Sequence, residues 1–146
     1  MLEVVLDTNV LVAAFRSKRG GSYQLVRSIG VGGWRPNISV ALALEYEDVL
    51  KRPDLLPNIS EAEIDKFLDY VFQVSNLIPS VQRRRPNLPD PGDELILELA
   101  VESRAMIVTH NKADFAGAGR FGVVVKTPAE FLNMLRATNE RERKRT

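Results

Sequence analysis

Val4-Val5-Leu6 is apolar at successive positions, so a strand here has both faces buried, as in parallel sheets covered by helices on either side. The run breaks at Asp7-Thr8-Asn9 and resumes at Val10 as the apolar start of a helix reaching Phe15. Asp7 therefore stands at a strand's carboxyl end, the edge where open α/β sheets bind ligands. The same position suits a helix N-cap, and the local sequence leaves both roles open.

The pattern recurs along the chain. Trp34 to Ile38 and Ala105 to Thr109 read as further strands, Leu77-Ile78 as a short one, and Phe121 to Val125 as the last. Between them, Ser22 is placed to cap a helix through Gly30, and Ser39 one from Val40 to Arg52 that ends at Pro53. Gly30-Val31-Gly32-Gly33 lacks the spacing of a dinucleotide loop and follows a helix. Ser60 and Glu63 form a capping box for a helix to Ser75, and Asp93 is placed to cap Glu94 to Ser103. Thr127-Pro128-Ala129-Glu130 opens a helix through Leu135. Alternating strands and helices predict a three-layer α/β/α sandwich around a mostly parallel sheet. Residues 1–137 form one domain in this reading, and 138–146 a charged tail, disordered or frayed. Trp34 and Tyr46 are assigned to the core, and Glu94, Glu98 and Glu102 to a solvent-facing row.

Within that frame four carboxylates invite attention. Asp7 and Asp114 follow strands, Asp93 starts a helix, and Glu45 shares the spacing of Leu42 and Val49 on an inward stripe. Carboxylates gathered in a semi-buried place repel one another and lose hydration, and a divalent cation resolves that conflict. With no cysteine and one histidine, the donors available are hard oxygens, which suit Mg2+ or Mn2+. Such ions orient water and stabilise charge on phosphate, so the chemistry implied is phosphodiester hydrolysis. A net charge of +1 leaves any attraction to nucleic acid to local basic clusters. No membrane span or signal peptide is read, and a cytoplasmic protein is expected.

Val5-Leu6-Asp7-Thr8-Asn9-Val10, Glu45-Tyr46, Asp90-Pro91-Gly92-Asp93-Glu94 before Ile96-Leu97-Glu98-Leu99-Ala100, and Val108-Thr109-His110-Asn111 with Asp114-Phe115 together resemble the PIN-domain nucleases. The resemblance spans Leu2 to about Leu135 and is nearest to the toxin components of bacterial toxin-antitoxin pairs. It implies a Mg2+- or Mn2+-dependent ribonuclease that cuts single-stranded RNA, a cognate protein antitoxin and a homodimer. By the same resemblance Asp7, Glu45 and Asp93 match the main acidic positions, and Asp114 is assigned the fourth. Many relatives carry Thr-Gly-Asp where this chain has Thr109-His110-Asn111. Asn111 then offers an amide oxygen, Thr8 and Asn9 support Asp7, and Asp90 is either a further ligand or a turn former.

Arg83, Arg84, Arg85, Arg16, Lys18, Arg19 and Lys112 are candidates for holding RNA phosphates. His110 has no identifiable carboxylate partner, and its role stays open. Two rivals stand beside the nuclease. An aspartyl-phosphate phosphatase would need an acid two residues after Asp7, where the chain has Asn9. A catalytically weak module that binds RNA or an antitoxin is the other.

Overall fold

The computed structural model describes residues 1–79, 81 and 88–145. Five strands form one sheet: β1 (Leu2–Leu6), β2 (Trp34–Ile38), β3 (Asn76–Leu77), β4 (Met106–Val108) and β5 (Val125–Lys126). Their order is β3-β2-β1-β4-β5, and every pairing is parallel. The mostly parallel sheet expected is thus wholly parallel, and all carboxyl ends share one edge. Helices flank both faces: α1 (Thr8–Arg16), α2 (Gly21–Arg27), α3 (Val40–Leu50), α4 (Glu61–Val74), α5 (Pro91–Ser103) and α6 (Pro128–Arg145). Among the described residues no helix is long and apolar enough to cross a membrane.

The central strand explains the layering. Val4, Val5 and Leu6 are each at most 1% exposed, so both faces of β1 are covered. Trp34 packs edge-on against Phe131 of α6 at 5.4 Å and donates from Nε1 to Ser28 Oγ, so its polar edge is satisfied inside the core. Phe15 and Phe67 make a similar contact at 4.9 Å between α1 and α4. Across β1, β2 and β3 runs a polar ladder. Asn37, 1% exposed, donates to Glu3 Oε1 at 3.0 Å and to the Val4 carbonyl, and accepts from Asn76 Nδ2 at 2.8 Å. Arg35 closes the ladder onto Glu3 at 2.8 Å.

Several sequence expectations change. Ser22 does not cap α2, because Gly20 holds the N-cap position and Ser22 lies inside the helix. Asp90, not Asp93, caps α5. The inward stripe of α3 is Leu42, Tyr46 and Leu50, with Glu45 and Val49 half-buried beside it. Glu94 and Glu98, expected in solvent, are 7% and 8% exposed, because α5 packs against the sheet and α3, and the chain at Leu88 lies against it. There Glu94 Oε2 accepts from the Leu88 amide at 2.9 Å. The last strand shrinks to Val125–Lys126, since Phe121 ends a 3-10 turn and Gly122 adopts φ 73°, a left-handed conformation no strand residue takes. Finally, α6 runs unbroken to Arg145, through the tail read as disordered or frayed. Its Arg, Lys and Glu residues are good helix formers, and charge alone does not end a helix.

Candidate active site

Asp7 has the extended backbone of an N-cap for α1, yet its side chain makes no capping hydrogen bond. The Thr109 hydroxyl, just past β4, instead donates to its carboxylate at 2.8 Å. Thr109 is fully buried, and its Oγ1 also accepts from Asn9 Nδ2 at 3.3 Å and from the Asn111 amide at 3.0 Å. Asn9 Oδ1 accepts in turn from the His110 amide at 3.3 Å. The ends of β1 and β4 are therefore laced through side chains as well as the ladder, and Asp7 is tied across the edge to the end of β4.

A second brace comes from α3. The Tyr46 hydroxyl donates to the Leu6 carbonyl, one residue before Asp7. Burial first, and then the Asp7 charge, raise its phenol far above the ordinary range, so it stays a donor. Glu45 is the next residue on that helix, and its carboxylate reaches the first turn of α5. A Cβ added to Gly92 would lie 3.4 Å from Glu45 Oε1 and 3.1 Å from Asp90 Oδ1. Asp90 accepts from the amides of Gly92 at 2.7 Å and Asp93 at 3.4 Å, with Pro91 at the first helical position. This is an ordinary cap, and it leaves the Asp93 carboxylate uncommitted to the helix end.

Electrostatics place the aspartates at one locus. The Asp93 carboxyl is pushed up to about 6, first by burial and then by the charges of Asp7, Asp90 and Asp114. Burial also raises Asp7, and Asp114 adds to the rise; the Thr109 hydrogen bond and the nearby amides of Thr8 and Asn9 oppose it. Asp114 sits on a 3-10 turn, Lys112–Phe115, anchored by Phe115, which is 2% exposed. Thr8, 8% exposed, opens α1 beside them. Among the described residues no group of three or more acidic or histidine side chains stands at metal-holding spacing. The donor chemistry nevertheless fits a hard divalent cation: the groups are carboxylate oxygens, they carry like charge, and that charge raises Asp7 and Asp93.

The cationic candidates are distributed differently. Arg83, Arg84 and Arg85 lie outside the described residues. Arg16 stands at the far end of α1, roughly 13 Å along the helix from the acidic edge, and donates to the Leu55 carbonyl at 3.3 Å. Lys18 and Arg19 follow it in the same loop. Lys112 does lie at the acidic edge, where it pairs with Glu130 at 3.1 Å. Asn9, with both ends of its amide engaged, acts as a strut and cannot supply the proton an aspartyl-phosphate phosphatase needs.

Thr109, Tyr46 and Ser22 are positioning residues absent from the sequence-based site. Ser22 Oγ is hydrogen-bonded to His110 Nε2, which ties α2 to the loop after β4. Only their polar atoms within otherwise apolar segments could have signalled them.

A wholly parallel sheet flanked by helices, whose carboxyl edge carries acids at the ends of β1 and β4, beside it on α3 and at the start of α5, defines an α/β class of protein with a candidate acidic site. The family model described as PIN domain matches residues 3–113, and the chain belongs to that family. Its fold is similar to that of VapBC2 from Rickettsia felis, solved bound to a DNA fragment from its promoter, with TM-score 0.57 and 17% identity over 86% of this chain and 98% of that one. VapBC-1 from nontypeable Haemophilus influenzae gives TM-score 0.60 and 13% identity over 88% and 99% of the two chains. Comparison with curated proteins returns no match.

Proposed function

We propose that this protein is a Mg2+- or Mn2+-dependent endoribonuclease that cleaves single-stranded RNA, and the toxin of a type II toxin-antitoxin pair. The observation that carries the reading is the mutual charge at the sheet edge, where Asp7, Asp90 and Asp114 help push Asp93 up to about 6. Four acids so placed are disfavoured without a cation between them. PIN-family membership supports the reaction class.

Asp7, Glu45, Asp93 and Asp114 would hold the ion. When bound, the ion supplies an activated water and neutralises charge on phosphate and leaving oxygen. The chain supplies orientation. Thr109 holds Asp7, Tyr46 fixes α3 beside Leu6, and the Asp90 cap sets the first turn of α5 that carries Asp93. Asn111 offers a neutral amide oxygen beside these groups. The solved VapBC assemblies support a protein antitoxin as partner. A homodimer and a cytoplasmic location complete the proposal.

The test is cleavage of single-stranded RNA by pure protein with Mn2+ or Mg2+, compared with Asp7→Asn and with chelator. Equal cleavage by wild type and variant, or none by either under any divalent ion, would overturn the enzyme in favour of a module that binds RNA or antitoxin. Light scattering tests the dimer, and a monomer at working concentration removes it. The adjacent reading frame tests the partner: a small protein encoded there should form a stable complex on co-expression, and its absence would count against the pair.

A further inference from the structure

The single histidine of the chain stands at the acidic edge in an arrangement that acid-dependent hydrolysis does not use. His110 follows Thr109, the residue that holds Asp7, and its side chain is exposed. Exposed rings ordinarily sample several rotamers, and fixing one on binding costs side-chain entropy. Here the ring is already fixed. Its Nε2 is hydrogen-bonded to Ser22 Oγ, and Ser22 is 2% exposed on the rigid start of α2. Its backbone amide is held by Asn9, which is itself tied to Thr109.

A hydrogen bond to an imidazole nitrogen lies in the plane of the ring. Ser22 therefore fixes the direction of the imidazole without covering either π face. We infer that His110 is a base-stacking platform that positions the nucleotide next to the phosphodiester held at Asp7, with Ser22 as its positioning residue. Aromatic rings beside such sites recognise unpaired bases by their faces, which all four bases possess, so the platform selects single-stranded over paired RNA without reading sequence. The ring is one residue from the side chain that holds Asp7, so a base flanking a phosphodiester at the acids comes within its reach. A serine nucleophile activated by His110 is the competing use of this pair. The burial of Ser22 speaks against it, as does the lack, among the described residues, of a carboxylate hydrogen-bonded to the imidazole.

The inference rests on the ribonuclease reading for its substrate, so it is tested by binding, separately from cleavage. In an Asp7→Asn background, affinity for a fluorescein-labelled single-stranded RNA of about twelve nucleotides is measured for His110→Ala, His110→Phe and Ser22→Ala. Stacking predicts a tenfold or greater loss for His110→Ala and a smaller loss, of similar size, for His110→Phe and Ser22→Ala, since phenylalanine keeps the face but not the bond to Ser22. Moving one abasic site along the RNA should find a position where His110→Ala no longer matters. If His110→Phe loses as much as His110→Ala, the contact is only a structural tie between α2 and the loop, and the platform is wrong. Unchanged affinity in His110→Ala overturns it equally. Coupling to one abasic position in a protein that never cleaves RNA would leave the platform standing while the nuclease fell; cleavage by wild type without such coupling would do the reverse.

Discussion

Removing one oxygen from Tyr46 should show how far fold and site depend on the same contact. Tyr46 is 1% exposed, and its hydroxyl donates to the Leu6 carbonyl at the end of the central strand. Tyr46→Phe keeps the ring and its packing but takes the donor away. A buried carbonyl left short of its partner costs about 1–3 kcal/mol, and 2 kcal/mol is a fair central figure. In a chain of 146 residues that lowers Tm by about 7 °C. Glu45 precedes Tyr46 on α3 and reaches the first turn of α5, so release of this brace should also loosen the acidic edge. Metal-dependent cleavage, assayed well below either melting point, is expected to fall about tenfold. Leu50→Ala on the same buried stripe is the control. It should cost about 2–5 kcal/mol in stability while leaving cleavage per folded molecule near wild type. A Tm for Tyr46→Phe within about 1 °C of wild type would refute the reasoning about the carbonyl. Full activity in a clearly destabilised Tyr46→Phe would show that α3 holds the fold and not the site.

Thr109→Val, close to isosteric, takes a donor from Asp7 and an acceptor from Asn9 and Asn111; urea denaturation should show a loss of about 1–3 kcal/mol, larger than for a surface threonine. Gly92→Ala sets two effects against each other: alanine favours the helix by up to about 1 kcal/mol, while its Cβ meets Asp90 Oδ1 at 3.1 Å and Glu45 Oε1 at 3.4 Å. The expected result is stability near wild type with reduced cleavage, and unchanged kinetics would mean that Glu45 swings clear at no cost. Asn37→Ala breaks the ladder from Glu3 to Asn76 and should destabilise by about 2 kcal/mol in thermal melts. For Glu3, burial acts to raise the carboxyl, but hydrogen bonds from Arg35 and Asn37 together outweigh it and hold it below its ordinary 4.5. Its stabilising contribution is present above that value and lost as pH falls through the lower folded-state value, so Glu3→Gln should flatten the acid limb of a stability-against-pH curve.

The central strands were legible because burial on both faces leaves an unbroken apolar run, and Val4 to Leu6 and Met106 to Val108 carry one; Trp34 to Ile38 is interrupted by Arg35 and Asn37, whose polar ends are taken up by Glu3 and the β1 backbone. Helix starts at Ser39 and Ser60 were legible because each hydroxyl does bond the amide three residues on. Ser22 looked the same and behaves otherwise, since a hydroxyl that can cap can equally make a tertiary bond, and the partner at His110 is remote in sequence. Of the acidic row, Glu94 and Glu98 misled for a related reason, while Glu102 is exposed as expected. Spacing tells which residues share a face, but the closure of chain around Leu88 decides whether that face meets solvent.

The site was legible in its acids and not in what aims them. Asp7 was balanced between cap and site because its backbone does adopt a cap's conformation; the bond from Thr109 draws the carboxylate elsewhere. The opposite correction applies at α5. From sequence Asp93 was the cap and Asp90 a turn former or further ligand, and the fixed φ of Pro91 reverses this, because proline at the first helical position makes Asp90 the cap. Asp93 then falls three residues into the helix. Its amide is given to Asp90, while its carboxylate is exposed to the charges of Asp7 and Asp114. The two aspartates divide a task that one could not do: a carboxylate committed to helix amides is already satisfied, whereas one held beside like charges retains its need for a cation. Had Asp93 capped the helix, as its position in the sequence allows, its carboxylate would have been committed to amides and not left facing the charges of Asp7 and Asp114.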